Sequence, residues 1–420
     1  MHVRRLAAVD AQAYWLAAKM PNDLLLVYGF DGTPTDLDVA IEDIRCRADG
    51  CGELRLRVRD GTALTYPAWA SVDVDAGQFT VHHLDDNSWT GCLDAVRRLG
   101  DHHLDPRVCA WRLHIFPSID GVPGAAGPGT VAVLQISHVL ADGARSSAMA
   151  ARLFGRPVDI APVATPWLRG VKLPWRTLLA ARTYRQLVRD TALGVVPAEA
   201  QPRPALRSNT RPSGARSVRT LVRHRDALRG PTVTIGLLCA VSTALSAHLR
   251  GLGDDPSTLA AEVPMGKTTV REANNHFGNV GVGLYPELGV AERATRIAAD
   301  LADRRRRAQH PAMRAASRAF AVTPAPLLRW AVAQFDPTVR SPMVTGNTVV
   351  SSVNRGPADL RFGDAPVVVT AGFPALSPMM GLAHGVHGIG DTVAVSVHAA
   401  ESAIGDVDEY VARLDAALSR

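Results

Sequence analysis

Thr130-Val131-Ala132-Val133-Leu134-Gln135-Ile136-Ser137-His138-Val139-Leu140-Ala141-Asp142-Gly143-Ala144-Arg145-Ser146 is the stretch on which the reading of this chain turns. Val131 to Ile136 is an apolar run broken only by Gln135, the pattern of a buried β-strand. The run stops at Ser137-His138, turns at Asp142-Gly143 and passes into a small-residue helix. The His138 imidazole therefore sits where a strand ends. Such a position holds a side chain rigidly at the wall of a cleft while the loop after it leaves room for substrate. Asp142 supplies a nearby carboxylate and Gly143 permits a close turn. Taken alone, the three residues fit a hydrogen-bonded core histidine as well as a catalytic one.

Bulk properties narrow the classes. With 420 residues and 47% hydrophobic content, the chain is long enough for two packed domains or two halves of one pseudo-symmetric body, and it is not disordered. The net charge of +6 comes mainly from arginine, and such a surface suits nucleic acid, anionic lipid or the phosphates of a nucleotide cofactor. No helix-turn-helix, zinc-finger or RNA-recognition signature accompanies it, so nucleic acid is not expected. Five cysteines (Cys46, Cys51, Cys92, Cys109, Cys239) lack disulfide parity and metal-ligand spacing. No apolar secretory segment follows Met1, which points to the cytoplasm, with peripheral contact at the inner membrane face or at lipid bodies. The uncharged segment Gly230 to Leu249 carries Thr232, Thr234, Ser242, Thr243, Ser246 and His248, which suits a buried core helix better than a bilayer span.

Ser137-His138-x-x-x-Asp142-Gly143 resembles the His-His-x-x-x-Asp-Gly signature shared by condensation domains, the chloramphenicol-acetyltransferase-like superfamily and the bacterial wax ester synthase/diacylglycerol acyltransferases. Ser137 stands where the first His would be. Further landmarks keep the family's order. Leu6-Ala-Ala-Val-Asp10 is similar to an opening Leu-Ser-x-x-Asp. The segment Leu104 to Ile115 resembles one containing Pro-Leu-Trp, with Trp111 kept and Cys109-Ala110 in place of Pro-Leu. Leu259 to Met265 resembles the Val-Pro strand, and Gly278-Asn279 to Pro286 the Gly-Asn strand. Ser351 to Pro357 resembles Ser-Asn-Val-Pro-Gly-Pro, altered in the middle. An Asn-Asp pair of the family is absent, Thr234-Ile235 occupying its place.

The elements between these landmarks mix without a regular βαβ period. The resemblance implies an α/β fold of two chloramphenicol-acetyltransferase-like mixed-sheet sandwich halves around a central cleft, divided as 1–161, a basic crossover 162–214, and 215–420. A helix from Trp175 to Leu193 places Arg182, Arg185 and Arg189 on one face, as a solvated crossing helix or one resting on anionic lipid would. Pro197 to Gly214 reads as a mobile linker, and Arg304 to Arg307 as a solvated face. His82-His83 and His102-His103 read as solvated or strand-end residues. His384-x-x-His387 reads as a glycine-flanked loop without a third ligand, so no metal and no bound cofactor are expected.

The expected chemistry is transfer of an acyl group from acyl-CoA, as co-substrate, to a long-chain alcohol or diacylglycerol. An alcohol needs a base as it attacks, and an imidazole of pKa about 6.5 supplies one and then returns the proton to the departing thiolate. No nucleophile-elbow motif is present, so direct attack without an acyl-enzyme is expected. His138 is the base; Asp142 is read first as fixing its loop, in concert with an arginine, as the resemblance also implies, with a triad acid as its other reading; Gly143 and Ser137 support the turn. Ser351, Ser352 and Asn354, with Asn279 behind them, are the candidate oxyanion or orienting groups. Two other readings stand beside this one: a carrier-protein thioester as donor, and a non-catalytic homologue that binds a lipid or a partner.

Overall fold

The computed structural model describes residues 4–20, 23–160, 162–163 and 173–419. The expected crossover 162–214 thus lies partly outside the described residues, at 164–172. Two six-stranded sheets carry the architecture. The first runs, in spatial order, Arg361–Phe362, Ala365–Phe373, Asp23–Phe30, Gly129–Ser137, Trp111–Ile119 and Phe79–Val81. The second runs Phe277–Gly283, Ala260–Gly266, Thr348–Asn354, Leu382–Ile389, Thr392–Ala400 and Arg216–His224. Both are mixed: Phe79–Val81 lies parallel to Trp111–Ile119, and Thr348–Asn354 is parallel to both Ala260–Gly266 and Leu382–Ile389, among otherwise antiparallel neighbours. The α/β mixed-sheet class read from the sequence is the class observed. The two sheets are not built from contiguous halves, however. Ala365–Phe373, inside the expected second half 215–420, pairs antiparallel with Asp23–Phe30 and extends the first sheet.

Gly129–Ser137 is buried along its whole length because both of its faces are covered. Ala132, Leu134 and Ile136 enter a core with Tyr28, Trp111 and Phe154, while Val131 and Val133 join Leu25, Val27 and Phe373 against Val218 and Ala394 of the second sheet. The latter cluster is the seam between the sheets. A strand covered on both faces reads as a continuous apolar run, which is what Val131 to Ile136 shows apart from Gln135 on the seam side. Each fully buried Leu, Val or Ile contributes roughly 1.5–3 kcal/mol. The outer face of the second sheet is covered by the helices Val233–Gly251 and Val407–Leu418. Val233–Gly251 is long and apolar enough to cross a membrane, yet 72% of its most apolar window is buried in the protein.

Three local readings are corrected. His384 and His387 lie on the strand Leu382–Ile389, not in a loop, and both are buried. Glycine is needed there for close packing: a Cβ on Gly385 would lie 2.5 Å from Gly372 O and 2.8 Å from His387 Cε1. The stretch Pro197 to Gly214 is pinned rather than loose. Arg203–Pro204 pairs with Met343–Val344, and the buried Asn209 donates through Nδ2 to Gly346 O and Met379 O at 3.1 Å each. Of the arginine run, Arg305 and Arg306 are exposed, whereas Arg304 and Arg307 donate to Ala198 O and Pro197 O and so help hold that stretch.

Candidate active site

The strand Gly129–Ser137 ends in a turn closed by Leu140 N donating to Ser137 O at 2.9 Å. His138 projects from this turn, half-buried. Its Nδ1 lies 3.1 Å from Asn275 Oδ1, and Asn275 arrives from the second half of the chain, just before the strand Phe277–Gly283. The orientation of this amide is over-determined. Asn275 Nδ2 donates to Asp10 Oδ1 at 3.1 Å and to the His138 carbonyl at 2.5 Å, neither of which has a proton to give. Oδ1 must therefore face the imidazole as acceptor, and the network assigns the proton of His138 to Nδ1. The lone pair is then on Nε2, which makes no hydrogen bond among the described residues.

Asp10, in the first turn of the helix Ala8–Ala17, also accepts Asn274 N and Asn275 N at 2.9 Å each. Burial raises its pKa to about 6, against the pull of those backbone donors and of the Asn275 amide. At neutral pH Asp10 is ionised, as its three donors require. Burial likewise pushes His138 below its ordinary value, opposed by the Asn275 bond and by the charges of Asp142 and Asp23. The free imidazole is therefore the resting form.

Asp142 does a different job. Its Oδ1 accepts Arg145 N at 2.9 Å and so caps the helix Gly143–Leu153, while Oδ2 accepts His276 N and Arg271 Nη1, also at 2.9 Å each. Arg271 Nη1 reaches on to Asn274 O at 2.7 Å, and Asn274 Nδ2 donates to Val139 O at 3.1 Å. Segment 271–276 is thus latched to 138–142 from end to end. His138 is not among the hydrogen-bond partners of Asp142; its ring is oriented from the Asn275 side.

The match of residues 274–420 to the WS/DGAT C-terminal domain begins at Asn274, the first of the two amides that hold the His138 loop. Residues 274–420 are similar to the WS/DGAT C-terminal domain. Across the whole chain the fold is similar to that of the wax ester synthase/diacylglycerol acyltransferase from Marinobacter aquaeolei VT8, with TM-score 0.63, 16% identity, and 99% of this chain and 98% of that chain covered. It is also similar to the starter condensation domain of rhizomide synthetase, solved as a mutant with C8-CoA and Leu-SNAC, with TM-score 0.60, 12% identity, and 99% and 93% covered. A comparison with curated proteins gives no match. The family is one of acyltransferases, and at these identities the two structures speak for the fold alone.

In this chain the polar residues read from the sequence distribute unevenly. His138, Ser137, Asp142 and Gly143 form one continuous turn, with Ser137 buried and Gly143 facing the second sheet: a Cβ on Gly143 would lie 3.6 Å from Val353 Cγ2. Ser351, two residues before Val353 on the same strand, shares its face. Ser352 lies on the other face and accepts from Thr234 Oγ1 at 2.9 Å. Asn354 closes a turn onto Gly356 N at 2.9 Å, and the exposed Asn279 donates to Glu262 Oε1 at 2.5 Å. Only Ser351 of the four is on the His138 side without a partner of that kind. Among the described residues no group of three or more His, Cys, Asp or Glu side chains gathers as metal donors.

Asn275, Asn274 and Arg271 were not singled out from the sequence, and Asp10 entered only as a landmark. The one signal for the pair is two adjacent amides, Asn274-Asn275, before a glycine-rich strand. Nothing local ties them to a histidine 137 residues away.

Proposed function

We propose that the chain is an O-acyltransferase that moves an acyl group from a thioester, acyl-CoA in the first instance, to the hydroxyl of a lipid. The observation that carries this reading is the Asp10–Asn275–His138 array, which fixes a neutral imidazole with its proton on Nδ1 and its lone pair on Nε2. Nε2 takes the hydroxyl proton as the alcohol oxygen attacks the thioester carbon. The C–O bond forms, the tetrahedral intermediate expels the thiolate, and the proton passes from Nε2 to sulfur. Asp142 and Arg271 hold the loop. Ser351 is the group best placed among the four candidates to meet the oxyanion, and no acyl-enzyme is required.

The same reading gives the exposed face of the helix Leu173–Ala192 to lipid. Trp175 is 71% and Leu178 is 63% exposed, with Arg182, Arg185 and Arg189 following along that face. Such a surface suits an anionic membrane or lipid body.

Thiol release from palmitoyl-CoA with and without long-chain alcohols and diacylglycerol tests the proposal. Acceptor-dependent release that falls at least 100-fold in His138→Ala is expected. Release only from an acyl-carrier thioester moves the donor to a carrier protein. No release with either donor, from folded protein, moves the reading to a non-catalytic lipid binder.

A further inference from the structure

A cavity of about 150 Å³ lies between the sheets, walled by Leu25 and Phe373 of the first and by Arg216 and His398 of the second. None of the described residues that line it belongs to the His138 turn or to segment 271–276, so the mechanism above gives it no role. Its polar groups separate by sign and by depth. Asp23 is only 8% exposed, whereas Arg211 and Arg216 are exposed and Lys19 and Arg97 are half-buried. The acidic end is inside and the basic end is at the mouth.

Asp23 is held through one oxygen. Leu104 N at 2.8 Å and Gln135 Nε2 at 2.9 Å both donate to Oδ2, and His103 Nδ1 lies 3.9 Å from it. Gln135 is fixed in turn by His102 O, which accepts from Nε2 at 2.8 Å, and by His114 Nε2, 3.1 Å from Oε1. His114 Nδ1 continues to His82 Nε2 at 2.9 Å; His82 is half-buried and stacked on Phe116, with ring centroids 4.6 Å apart, rather than solvated. Among the described residues Asp23 Oδ1 accepts no hydrogen bond. Burial raises the pKa of Asp23 against the pull of Leu104, Gln135 and His103, as it does for a carboxylate short of positive partners. A second acceptor lines the same cavity. His398 Nδ1 is 2.9 Å from Pro374 O, which has no proton to give, so the lone pair of this imidazole is on Nε2.

The mouth carries uncompensated positive charge. Arg97 and Arg216 share the single carboxylate of Asp101, at 2.9 and 3.4 Å. Lys19 Nζ donates to two carbonyls, Ala333 O at 2.7 Å and Phe335 O at 2.6 Å, which leave its charge unpaired. The Arg211 guanidinium makes no hydrogen bond or ion pair among the described residues.

We infer that this cavity binds a zwitterion in which a short carbon arm joins a primary ammonium to a phosphate, as in phosphoethanolamine, free or as the headgroup of a lipid. The ammonium enters first and donates to Asp23 Oδ1 and His398 Nε2, while the phosphate stays at the mouth with Arg211 and Arg216. Guanidinium forks match phosphate oxygens, and the buried carboxylate gains the cation it lacks. A ligand without N–H donors leaves that buried oxygen unpaired, and a site built around such a group discriminates against it. This site is independent of the acyl-transfer reading.

The test is calorimetric binding to the full chain in two series: O-phosphoethanolamine, phosphocholine and ethyl phosphate, and the dihexanoyl forms of phosphatidylethanolamine and phosphatidylcholine. The ethanolamine member is expected to bind about tenfold more tightly than its companions, since the choline nitrogen carries no N–H and ethyl phosphate has no nitrogen. Asp23→Asn should erase that preference, and Arg211→Gln should weaken every ligand together. A preference confined to the first series assigns the soluble compound, and one confined to the lipids assigns the headgroup; where both show it, the tighter ligand names the source. No ethanolamine preference in either series, or a preference that survives in folded Asp23→Asn, overturns the inference. The wild-type comparison decides even where a variant does not fold.

Discussion

Asn275 Oδ1 stands 3.1 Å from His138 Nδ1 although the two residues are 137 positions apart. The second half of the chain therefore sets the tautomer of a histidine that belongs to the first. Because the Asn275 amide is itself fixed by Asp10 and by the His138 carbonyl, the imidazole has one orientation available to it, with Nε2 as its base.

Asn275→Ala is expected to lower kcat of acyl transfer by roughly 10- to 100-fold with little change in KM, since the base remains but its tautomer and orientation are no longer imposed. Thiol release gives the kinetics, and a circular-dichroism melt separates this from unfolding. An unchanged kcat would remove Asn275 from the positioning role.

Asp142→Ala removes a helix cap, leaves His276 N without its acceptor and takes from Arg271 its carboxylate. A loss of roughly 2–4 kcal/mol is expected, read from urea titration. Arg271→Lys, which keeps the charge and loses the second donor geometry, should cost less.

Buried histidines make stability fall on acidification. Burial pushes His384, held between Thr348 Oγ1 and Tyr410 OH, down to about 4, and His114 likewise to about 4. Between pH 6.5 and 4 the unfolded chain binds more protons at these sites, so stability present above pH 6.5 is lost as pH falls through that window. Asp10 has the opposite sign: with its folded value raised to about 6, it favours the folded state as pH drops from 6 towards 4. Two histidines against one carboxylate predict a net loss, at about 1.4 kcal/mol per pKa unit before compensation. His384→Gln should flatten the dependence of the urea midpoint on pH. A midpoint that rises steadily from pH 6.5 to 4 would contradict this balance.

Arg355 is buried, has no carboxylate partner among the described residues, and joins the two sheets. It leaves the strand Thr348–Asn354 and donates to Thr370 Oγ1 and to Ala371 O of the first sheet, its guanidinium 4.7 Å from the Tyr28 ring. Arg355→Ala strands these acceptors and opens a void at the seam, and a loss of roughly 3 kcal/mol or more is expected from thermal melts.

Trp175→Ala combined with Arg182→Glu and Arg185→Glu should abolish co-sedimentation with vesicles containing anionic phospholipid while leaving thiol release from soluble substrates unchanged. Wild-type protein that ignores such vesicles would remove the lipid-facing role from the helix Leu173–Ala192.

Much of the architecture was present in local pattern. The uncharged segment Gly230 to Leu249 lies within the buried helix Val233–Gly251 and its entry turn, and the apolar run ending at His138 is the buried strand its pattern promised. Such elements follow from neighbouring residues, because helix and strand periods are set by contacts a few positions apart. Glycine obscured the strand that bears His384 and His387: packing against Gly372 demanded Gly385, and the same residue reads locally as a loop. Proline and arginine similarly disguised the pinned segment around Asn209.

The site divides along the same line. The sequence by itself determined the strand-end position of His138, its loop and the turn at Asp142-Gly143, because these lie within six residues of one another. Only the tertiary structure decided that Asp10 and Asn275 orient the imidazole and that Arg271 fastens the loop. Each of these depends on side chains from distant segments meeting across a seam closed by hydrophobic burial. A buried polar atom takes whichever partner that closure brings within 3 Å, and this choice is a property of the packed whole, not of any stretch of chain.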